Sequence, residues 1–300
     1  MRYLKLLCVI PAILIGFSFF QEDSINDLLE PGTKLEKLAD GFLFTEGPSA
    51  DSKGNVYFTD QPNDRIMIWS VSGELSTFMQ PSGRSNGLAF DKKGNLWSCA
   101  DEKNELWQIS PDKSISAIPS KYRGKPLNGP NDLWVNPNGG IYFTDPFYKR
   151  IWWDHNLQPQ DFQGVYFLDP DHKTISCVAN DLVRPNGIVG TPDGKMLYVA
   201  DIGGNKTWVF KIKNDGTLFD KKLFCNMGSD GMTIDTKGNI FLTGSGVTIF
   251  DKNGKQIGNI AVPETWTANV CFGGKDMKSL FITASKGLYR IRLKKKGTAG

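Results

Sequence analysis

The sequence predicts an all-β protein, a six-bladed β-propeller built around a central channel. Short apolar strands alternate with Gly, Asn and Asp turns along most of the chain. One unit of two strands and a turn recurs six times, at a period of about 40 to 45 residues, which is typical of propellers with four strands per blade. A third observation is that every copy carries a carboxylate or a carboxamide at the same position of the unit.

The N-terminal residues predict export. Arg2 and Lys5 precede an apolar run from Leu6 to Phe20, which is the layout of a secretory signal peptide. This run is shorter than the roughly 20 residues that span a bilayer. We therefore expect residues 1–20 to be a signal peptide and the protein to be periplasmic or secreted, with an uncleaved anchor as the alternative.

Composition restricts the classes of partner. The chain has 300 residues, of which 40% are hydrophobic and 22% charged, with a formal net charge of +3. These values are ordinary for a soluble globular protein and do not favour nucleic acid as a partner. After removal of the signal peptide we expect no membrane contact and a monomer, with a dimer as the alternative.

The six copies of the unit set the domain organisation. They are TEGPSADSKGNVYFTD, SNGLAFDKKGNLWSCAD, PNDLWVNPNGGIYFTD, PNGIVGTPDGKMLYVAD, SDGMTIDTKGNIFLTG and TANVCFGGKDMKSLFITA. Their second strands end near positions 60, 101, 145, 201, 244 and 284, at steps of 41, 44, 56, 43 and 40 residues. A second apolar pair, such as RIMIWSVSGELSTFM, follows each copy and predicts the outer strands.

Six blades then fill residues 40–293, and a basic tail follows over residues 294–300. Residues 21–39 form a lead-in, in which residues 33–39 can pair with the last blade and close the ring. The 56-residue step contains the insertion FYKRIWWDHNLQPQDFQ after the third copy. The repeat therefore predicts one domain, although the length alone would suggest two.

One position of the unit carries the candidate chemistry. Five residues before the turn, the six copies have Glu46, Asn86, Asn131, Asn186, Asp230 and Asn269. If the first strand of each copy is the innermost of its blade, these side chains converge on the propeller axis. Two carboxylates with several amide oxygens suit a hard divalent cation, Ca²⁺ in preference to Zn²⁺. The alternative is a wet channel with polar walls, in which Asn-Gly and Asp-Gly are turn residues.

Five motifs carry a family resemblance over roughly residues 40–293. They are TEGPSAD, LNGPNDLWVNPNGGIYFTDP, FQGVYFLDPD, RPNGIVGTPDGKMLYVAD and SDGMTID. Together they resemble the senescence marker protein/gluconolactonase (regucalcin-like) family of six-bladed lactonases, and bacterial gluconolactonases most of all.

The resemblance implies a metal site and a reaction. One divalent cation, Ca²⁺ by preference with Zn²⁺, Mg²⁺ or Mn²⁺ as alternatives, would be held by Glu46, Asn131, Asn186 and Asp230. The cation would polarise the carbonyl of a sugar-acid lactone and lower the pKa of a bound water. Asp230 would be the catalytic base or the nucleophile.

The resemblance also implies substrate contacts, which we expect at Asn128 and Asn131. We further expect contacts at Asn86, which lines the channel, and at Trp153 in the insertion, a segment that differs from a typical gluconolactonase. Asn128 keeps the bacterial pattern, whereas Gly129 stands where animal members carry Arg. Two alternatives stay open for the function. One is a phosphotriesterase-like or other esterase activity at the same site, and the other is a non-catalytic propeller that binds a protein or glycan.

Other catalytic patterns are weak in this sequence. A Ser/His/Asp triad would need one of the two histidines, His155 in the insertion or His172 in a turn. The aromatic residues of the insertion have two interpretations, a wall that stacks on sugar or side chains that pack the insertion down. They are Phe147, Tyr148, Trp152 and Trp153.

Overall fold

The structure, a computed structural model, describes residues 25–118 and 121–298. It contains six four-stranded antiparallel sheets arranged as a propeller, so the predicted fold class is confirmed. The expected signal peptide lies outside the described residues. Across the two described ranges, no helix is both long and apolar enough to cross a membrane.

The blades follow one another in sequence, and each runs from an inner strand to an outer one. Blade 1 contains Thr45–Ala50, Val56–Asp60, Arg65–Trp69 and Leu75–Met79. Blade 2 contains Ser85–Phe90, Leu96–Ala100, Glu105–Ile109 and Ile115–Ile118. Blade 3 contains Leu133–Val135, Ile141–Asp145, Gly164–Leu168 and Ile175–Ala179.

The second half of the chain repeats this order. Blade 4 contains Pro185–Gly190, Met196–Asp201, Lys206–Ile212 and Leu218–Cys225. Blade 5 contains Met232–Ile234, Ile240–Gly244, Gly246–Phe250 and Gln256–Ile260. Blade 6 contains Thr267–Gly273, Ser279–Ala284 and Gly287–Arg292, followed by the N-terminal strand Glu36–Ala39. A short hairpin, Lys121–Tyr122 with Lys125–Pro126, lies between blades 2 and 3.

The N-terminal strand closes the ring. Glu36 lies opposite Arg290 in the antiparallel register, and the guanidinium of Arg290 lies 2.6 Å from the carboxylate of Glu36. Pairing a strand from one end of the chain with strands from the other end covers a sheet edge that would otherwise be open.

The core lies between the blades and is richest near the axis. Second strands such as Leu96–Ala100 and Ile141–Asp145 are buried along their whole length, because a neighbouring blade covers each of their faces. The rim strand Leu75–Met79 is mostly exposed. The burial gradient explains why the two inner strands of each unit are the most apolar, since they lose the most contact with water on folding.

The turn between the first two strands is built by an aspartate in several blades. In blade 5, Oδ1 of Asp235 accepts hydrogen bonds from the backbone N–H groups of Lys237 and Asn239 at 2.8 and 2.9 Å. Gly238 adopts a φ of +82° there, a conformation that glycine adopts without a steric penalty. Because the inner strand of each blade ends at this turn, the first residues of the strand lie at the opposite end of the blade from the turn.

Candidate functional site

Five of the six ring positions share one cavity. This cavity has a volume of about 360 Å³ and is lined by Glu46, Asn86, Asn131, Asn186 and Asp230. Each residue lies within two residues of the start of an inner strand, so the register of the repeat does bring these side chains to the axis.

The sixth ring position is directed elsewhere. Asn269 does not line this cavity. Its Oδ1 accepts a hydrogen bond of 2.8 Å from the backbone of Val270, and its Nδ2 lies 3.4 Å from the carboxylate of Asp132. Asn269 therefore belongs to the floor beneath the cavity. Asp132, which it contacts there, follows the ring residue of blade 3, whereas a glycine follows the ring residue in four other blades.

Those glycines allow adjacent blades to approach closely at the axis. A Cβ on Gly47 would overlap the carbonyl oxygen of Asn86, and a Cβ on Gly187 would lie 2.8 Å from the carbonyl oxygen of Asp230. Such distances are too short for any side chain. In these blades the glycine after the ring residue is therefore required by the packing of the next blade and not only by a local turn.

Threonines of the second strands donate hydrogen bonds to the backbone of the ring residues in the next blade. The hydroxyl of Thr59 donates to the backbone oxygen of Asn86 at 3.1 Å. Thr144 makes the equivalent bond of 2.7 Å to the backbone of Asn186 in the next blade. Each hydroxyl satisfies a buried carbonyl group and fixes the backbone from which a ring side chain projects.

Asp230 is held by two donors. Asn186 Nδ2 donates to Oδ1 at 2.7 Å, and the indole Nε1 of Trp266 donates to Oδ2 at 2.6 Å. Burial raises the pKa of Asp230 to about 6, and these two hydrogen bonds oppose the rise. The carboxylate therefore has a fixed orientation and a pKa close to neutral.

Glu46 faces the same space with a second carboxyl group. Burial raises the pKa of Glu46 well above its ordinary value, and the carboxylates of Asp230 and Asp132 raise it further. Burial and the neighbouring carboxylates therefore disfavour the charged form of Glu46, and a cation bound in the cavity would favour it.

The donor set fits a hard cation. Asn86 and Asn131 direct amide groups at the cavity, and within the described part of the chain these side chains form no hydrogen bond. No cluster of three or more His, Cys, Asp or Glu residues that could hold a metal occurs in the described ranges. A cation here would therefore need amide oxygens besides the two carboxylates, and hard cations such as Ca²⁺ accept such ligands.

The expectation that Asn128 contacts substrate is corrected by its surroundings. Asn128 is fully buried and does not line the cavity. Its Nδ2 donates to the backbone oxygens of Asp145 and Phe162 at 3.0 and 2.9 Å, and its Oδ1 accepts from the backbone of Gln160 at 2.9 Å. All its polar atoms are satisfied, so Asn128 ties the end of the insertion to blade 3.

Trp153 is likewise not a cavity residue in this structure. Its indole Nε1 donates to the backbone oxygen of Asp101 at 2.8 Å. Its ring stacks on His155 and Phe147 at centroid distances of 5.2 and 5.9 Å. The expectation of a substrate contact is therefore corrected, and Trp153 packs the insertion onto blade 2.

Several cavity residues are not predicted from the repeat, although one interpretation of the insertion makes Tyr148 part of an aromatic wall. They are Phe44, Gln61, Tyr148, Arg150, Arg184, Ile202, Gly203 and Trp266. Most lie in loops that join blades or in the insertion, where the sequence has no periodic signal. One local signal exists for Arg184, which stands two residues before Asn186 in the motif RPNG.

A larger cavity of about 750 Å³ lies at the turn end of blades 1 to 4. Its carboxylates include Asp51 and Asp91, whose oxygens accept hydrogen bonds from residues of their own turns. These carboxylates already have partners that fold the turns. The smaller cavity at the axis is therefore the better candidate for chemistry.

Comparison with known proteins gives three main similarities. The model of the SMP-30/Gluconolactonase/LRE-like region matches residues 44–286. The chain is 30% identical to the gluconolactonase of Zymomonas mobilis over 301 residues, which covers 90% of this chain and 84% of that protein. A solved gluconolactonase structure from Xanthomonas campestris, XC5397, is 28% identical with a TM-score of 0.84, covering 91% of this chain and 94% of the other.

A more distant structure shares the fold. The calcium-binding protein regucalcin from Agrobacterium tumefaciens is 19% identical to this chain, with a TM-score of 0.73. The superposition covers 89% of this chain and 96% of the other.

Proposed function

The chain belongs to the SMP-30/gluconolactonase/LRE-like family, and on that premise we propose that it is a hydrolase that opens the ester of a sugar-acid lactone. The observation that carries the proposal is the pair of carboxyl groups, Glu46 and Asp230, that share one axial cavity of about 360 Å³. The gluconolactonase activity named for two similar proteins supports the same reaction class.

We propose Ca²⁺ as the cofactor, held by Glu46, Asn131, Asn186 and Asp230. When bound, the cation would supply positive charge at the lactone carbonyl oxygen and make the attacking water more acidic. Two carboxylates and two amide oxygens are ligands that Ca²⁺ accepts. The calcium-binding relative from Agrobacterium tumefaciens supports this choice.

Asp230 is the proposed base. Trp266 and Asn186 each hold one of its carboxylate oxygens, so the carboxylate keeps one orientation toward the cavity. With a pKa of about 6, Asp230 is ionised at neutral pH and can accept the proton of the attacking water. The water oxygen bonds to the acyl carbon, the bond between this carbon and the ring oxygen breaks, and the ring oxygen takes the proton from Asp230 and leaves as a hydroxyl group.

The walls of the cavity are partly apolar. Phe44, Ile202 and Trp266 supply apolar surface around the polar floor. The hydroxyl of Tyr148 accepts a hydrogen bond of 3.0 Å from Asn186 Nδ2 and connects the insertion to the ring. A low-dielectric wall strengthens every electrostatic contact with the developing oxyanion.

The direct test is hydrolysis by purified protein of an aldonolactone and of a phosphotriester, each with and without chelator. We expect lactone hydrolysis that chelation abolishes, and a loss of about 100- to 10,000-fold in Asp230→Asn. Asp171→Asn, at an exposed turn position, is the matched control and should retain full activity. Circular dichroism establishes that each variant is folded.

The other outcomes decide between the alternatives. Lactone hydrolysis that survives both chelation and Asp230→Asn would refute the metal-dependent mechanism. A strong preference for the phosphotriester would favour the esterase alternative. A folded protein that hydrolyses neither substrate would favour a non-catalytic binding propeller.

We also propose that the protein is exported and acts as a monomer. The basis for export is the sequence, in which Arg2 and Lys5 precede the apolar run from Leu6 to Phe20. N-terminal sequencing of protein from the periplasmic or culture fraction should begin near residue 21. Protein that keeps residues 1–20 and stays with the membrane would contradict export, and gel filtration tests the monomer.

A further inference from the structure

Two guanidinium groups lie at the rim of the cavity. Arg150 and Arg184 both line it, and they lie beside the ring of Tyr148. The Cζ atoms are 5.6 and 5.3 Å from the ring centroid, within the range of cation–π contacts. The insertion and the loop before blade 4 therefore bring two positive charges to the entrance of one site.

Only one of these charges is neutralised by a carboxylate. Arg150 Nε lies 2.6 Å from Oδ2 of Asp101, whose side chain is 1% exposed. In the part of the chain that the structure describes, the guanidinium of Arg184 forms no hydrogen bond and no ion pair. Arg184 therefore presents all its N–H donors to the cavity mouth and the solvent.

The backbone that carries Arg184 is held in place. The backbone N–H groups of Val183 and Arg184 donate to the two carboxylate oxygens of Asp201 at 3.1 and 2.8 Å. Gly203 leaves room for the side chain, because a Cβ there would lie 2.8 Å from Cβ of Arg184. The guanidinium thus projects from an anchored base, two residues from Asn186.

We propose that Arg184 binds an oxyanion, a carboxylate or a phosphate, that the substrate carries in addition to its lactone ester. The substrate class would be acidic sugar lactones, and this inference rests on the proposed lactonase function. A planar guanidinium offers parallel N–H donors that match the paired oxygens of a carboxylate or phosphate.

Neutral hydroxyl groups do not require such a residue. Asn86 already lines the cavity, and its amide can hydrogen-bond to the hydroxyl groups of a sugar without an unpaired charge. The charge of Arg184 is used fully only by a ligand of opposite charge, because charge-assisted hydrogen bonds are about twice as strong as neutral ones.

The kinetic test compares three lactones at fixed Ca²⁺ concentration: neutral gluconolactone, a lactone of glucaric acid with a free carboxylate, and phosphorylated gluconolactone. We expect the wild type to have a higher kcat/KM on one or both acidic lactones. In Arg184→Gln the ratio of acidic to neutral kcat/KM should fall about 10- to 100-fold, and Arg184→Lys should recover part of it. If this ratio falls more for the glucaric acid lactone, the oxyanion is a carboxylate; if it falls more for the phosphorylated lactone, the oxyanion is a phosphate.

Arg123→Gln is the matched control. Arg123 is also exposed and also lies over a tyrosine, with its Cζ 5.1 Å from the ring centroid of Tyr122, but it does not line the cavity. This variant should leave the ratio unchanged. A wild type without preference for acidic lactones, or an equal loss on all three lactones in Arg184→Gln, would overturn the inference while leaving the lactonase function intact.

A binding measurement separates the inference from the reaction. Calorimetry with the open-chain glucarate dianion and with phosphorylated gluconate should show binding that weakens about 10-fold or more in Arg184→Gln. Gluconate, which has one carboxylate, should bind with less dependence on Arg184. Binding of glucarate and of phosphorylated gluconate that is unaffected by Arg184→Gln refutes the role of Arg184 even if the protein proves to have no lactonase activity.

Discussion

The indole Nε1 of Trp266 donates a hydrogen bond of 2.6 Å to Oδ2 of Asp230. Trp266 lies in the loop before blade 6, so a residue outside the repeated unit holds the carboxylate proposed as the base. This hydrogen bond is the main contribution that lowers the pKa of Asp230 against the effect of burial.

We expect Trp266→Phe to lower kcat/KM on the preferred lactone by about 10- to 100-fold, since a hydrogen bond to a charged group contributes about 1.5 to 3 kcal/mol. Loss of the donor also raises the pKa of Asp230, so a smaller fraction is ionised at pH 6 to 7. Trp208→Phe is the matched control, because the indole N–H of Trp208 is buried without a hydrogen-bond partner in the described chain. Equal activity in the two variants would show that the contact with Asp230 has no functional effect.

Glu46→Gln tests the metal site by stability. The pKa of Glu46 is raised by burial and by Asp230, so removal of its charge should stabilise the metal-free protein near pH 8. The same change should abolish most of the stabilisation that Ca²⁺ gives the wild type, which is about 2.7 kcal/mol at 100 times the Kd. Thermal unfolding with chelator and with Ca²⁺ measures both effects.

Glu102→Gln is the control for this experiment, since Glu102 is exposed and lies outside the cavity. A Ca²⁺-dependent rise in Tm that persists in Glu46→Gln would place the cation elsewhere.

Asn131→Ala and Asn86→Ala test the ranking of the amide groups that line the cavity. The family resemblance makes Asn131 a ligand and Asn86 a neighbour of the site. We therefore expect Asn131→Ala to weaken Ca²⁺ affinity at least 10-fold and Asn86→Ala to weaken it less, as measured by calorimetry. A larger loss of Ca²⁺ affinity in Asn86→Ala than in Asn131→Ala would make Asn86 the ligand and Asn131 the neighbour.

The burial of the Asp101 carboxyl group predicts how stability depends on pH. Burial raises the pKa of Asp101 to about 6, although Arg150 and Gln61 both lower it. Since the pKa is higher in the folded protein than in the unfolded chain, the contribution of Asp101 to stability is fully present below about pH 4. It is lost as the pH rises through about 6, and amounts to about 3 kcal/mol.

Asp101→Asn should therefore flatten the fall in the free energy of unfolding between pH 4 and pH 6. Urea unfolding of metal-free protein at several pH values measures this slope. An unchanged slope in the variant would assign the pH dependence to other buried carboxyl groups, such as Asp145, whose pKa burial raises to about 7.

Asn128→Ala tests the correction made by the structure. Loss of the hydrogen bonds to Asp145, Phe162 and Gln160 should destabilise the fold by about 2 to 4 kcal/mol, since buried groups would lose their partners. At a temperature where the variant is folded, its KM should remain near the wild-type value. A large rise in KM without loss of stability would restore Asn128 as a substrate contact.

The repeat made the fold and the ring of candidate residues predictable. Turn residues and apolar alternation are local signals, and an error in one copy is corrected by the other five. Glu46 and Asp230 are 184 positions apart in the sequence, yet equivalent positions of equivalent units must meet at the axis of a closed ring. The positions of the ring residues can therefore be predicted without the conformation of any loop.

The tertiary structure alone decided which polar side chains share the cavity and what surrounds them. Asn269 follows the repeat but is directed toward Asp132, and Asn128 is fully engaged by backbone groups of blade 3 and the insertion. Tyr148, Arg150, Arg184 and Trp266 reach the site from loops. Loop conformation depends on contacts between residues distant in sequence, such as Arg150 with Asp101, and such contacts leave no periodic signal in the chain.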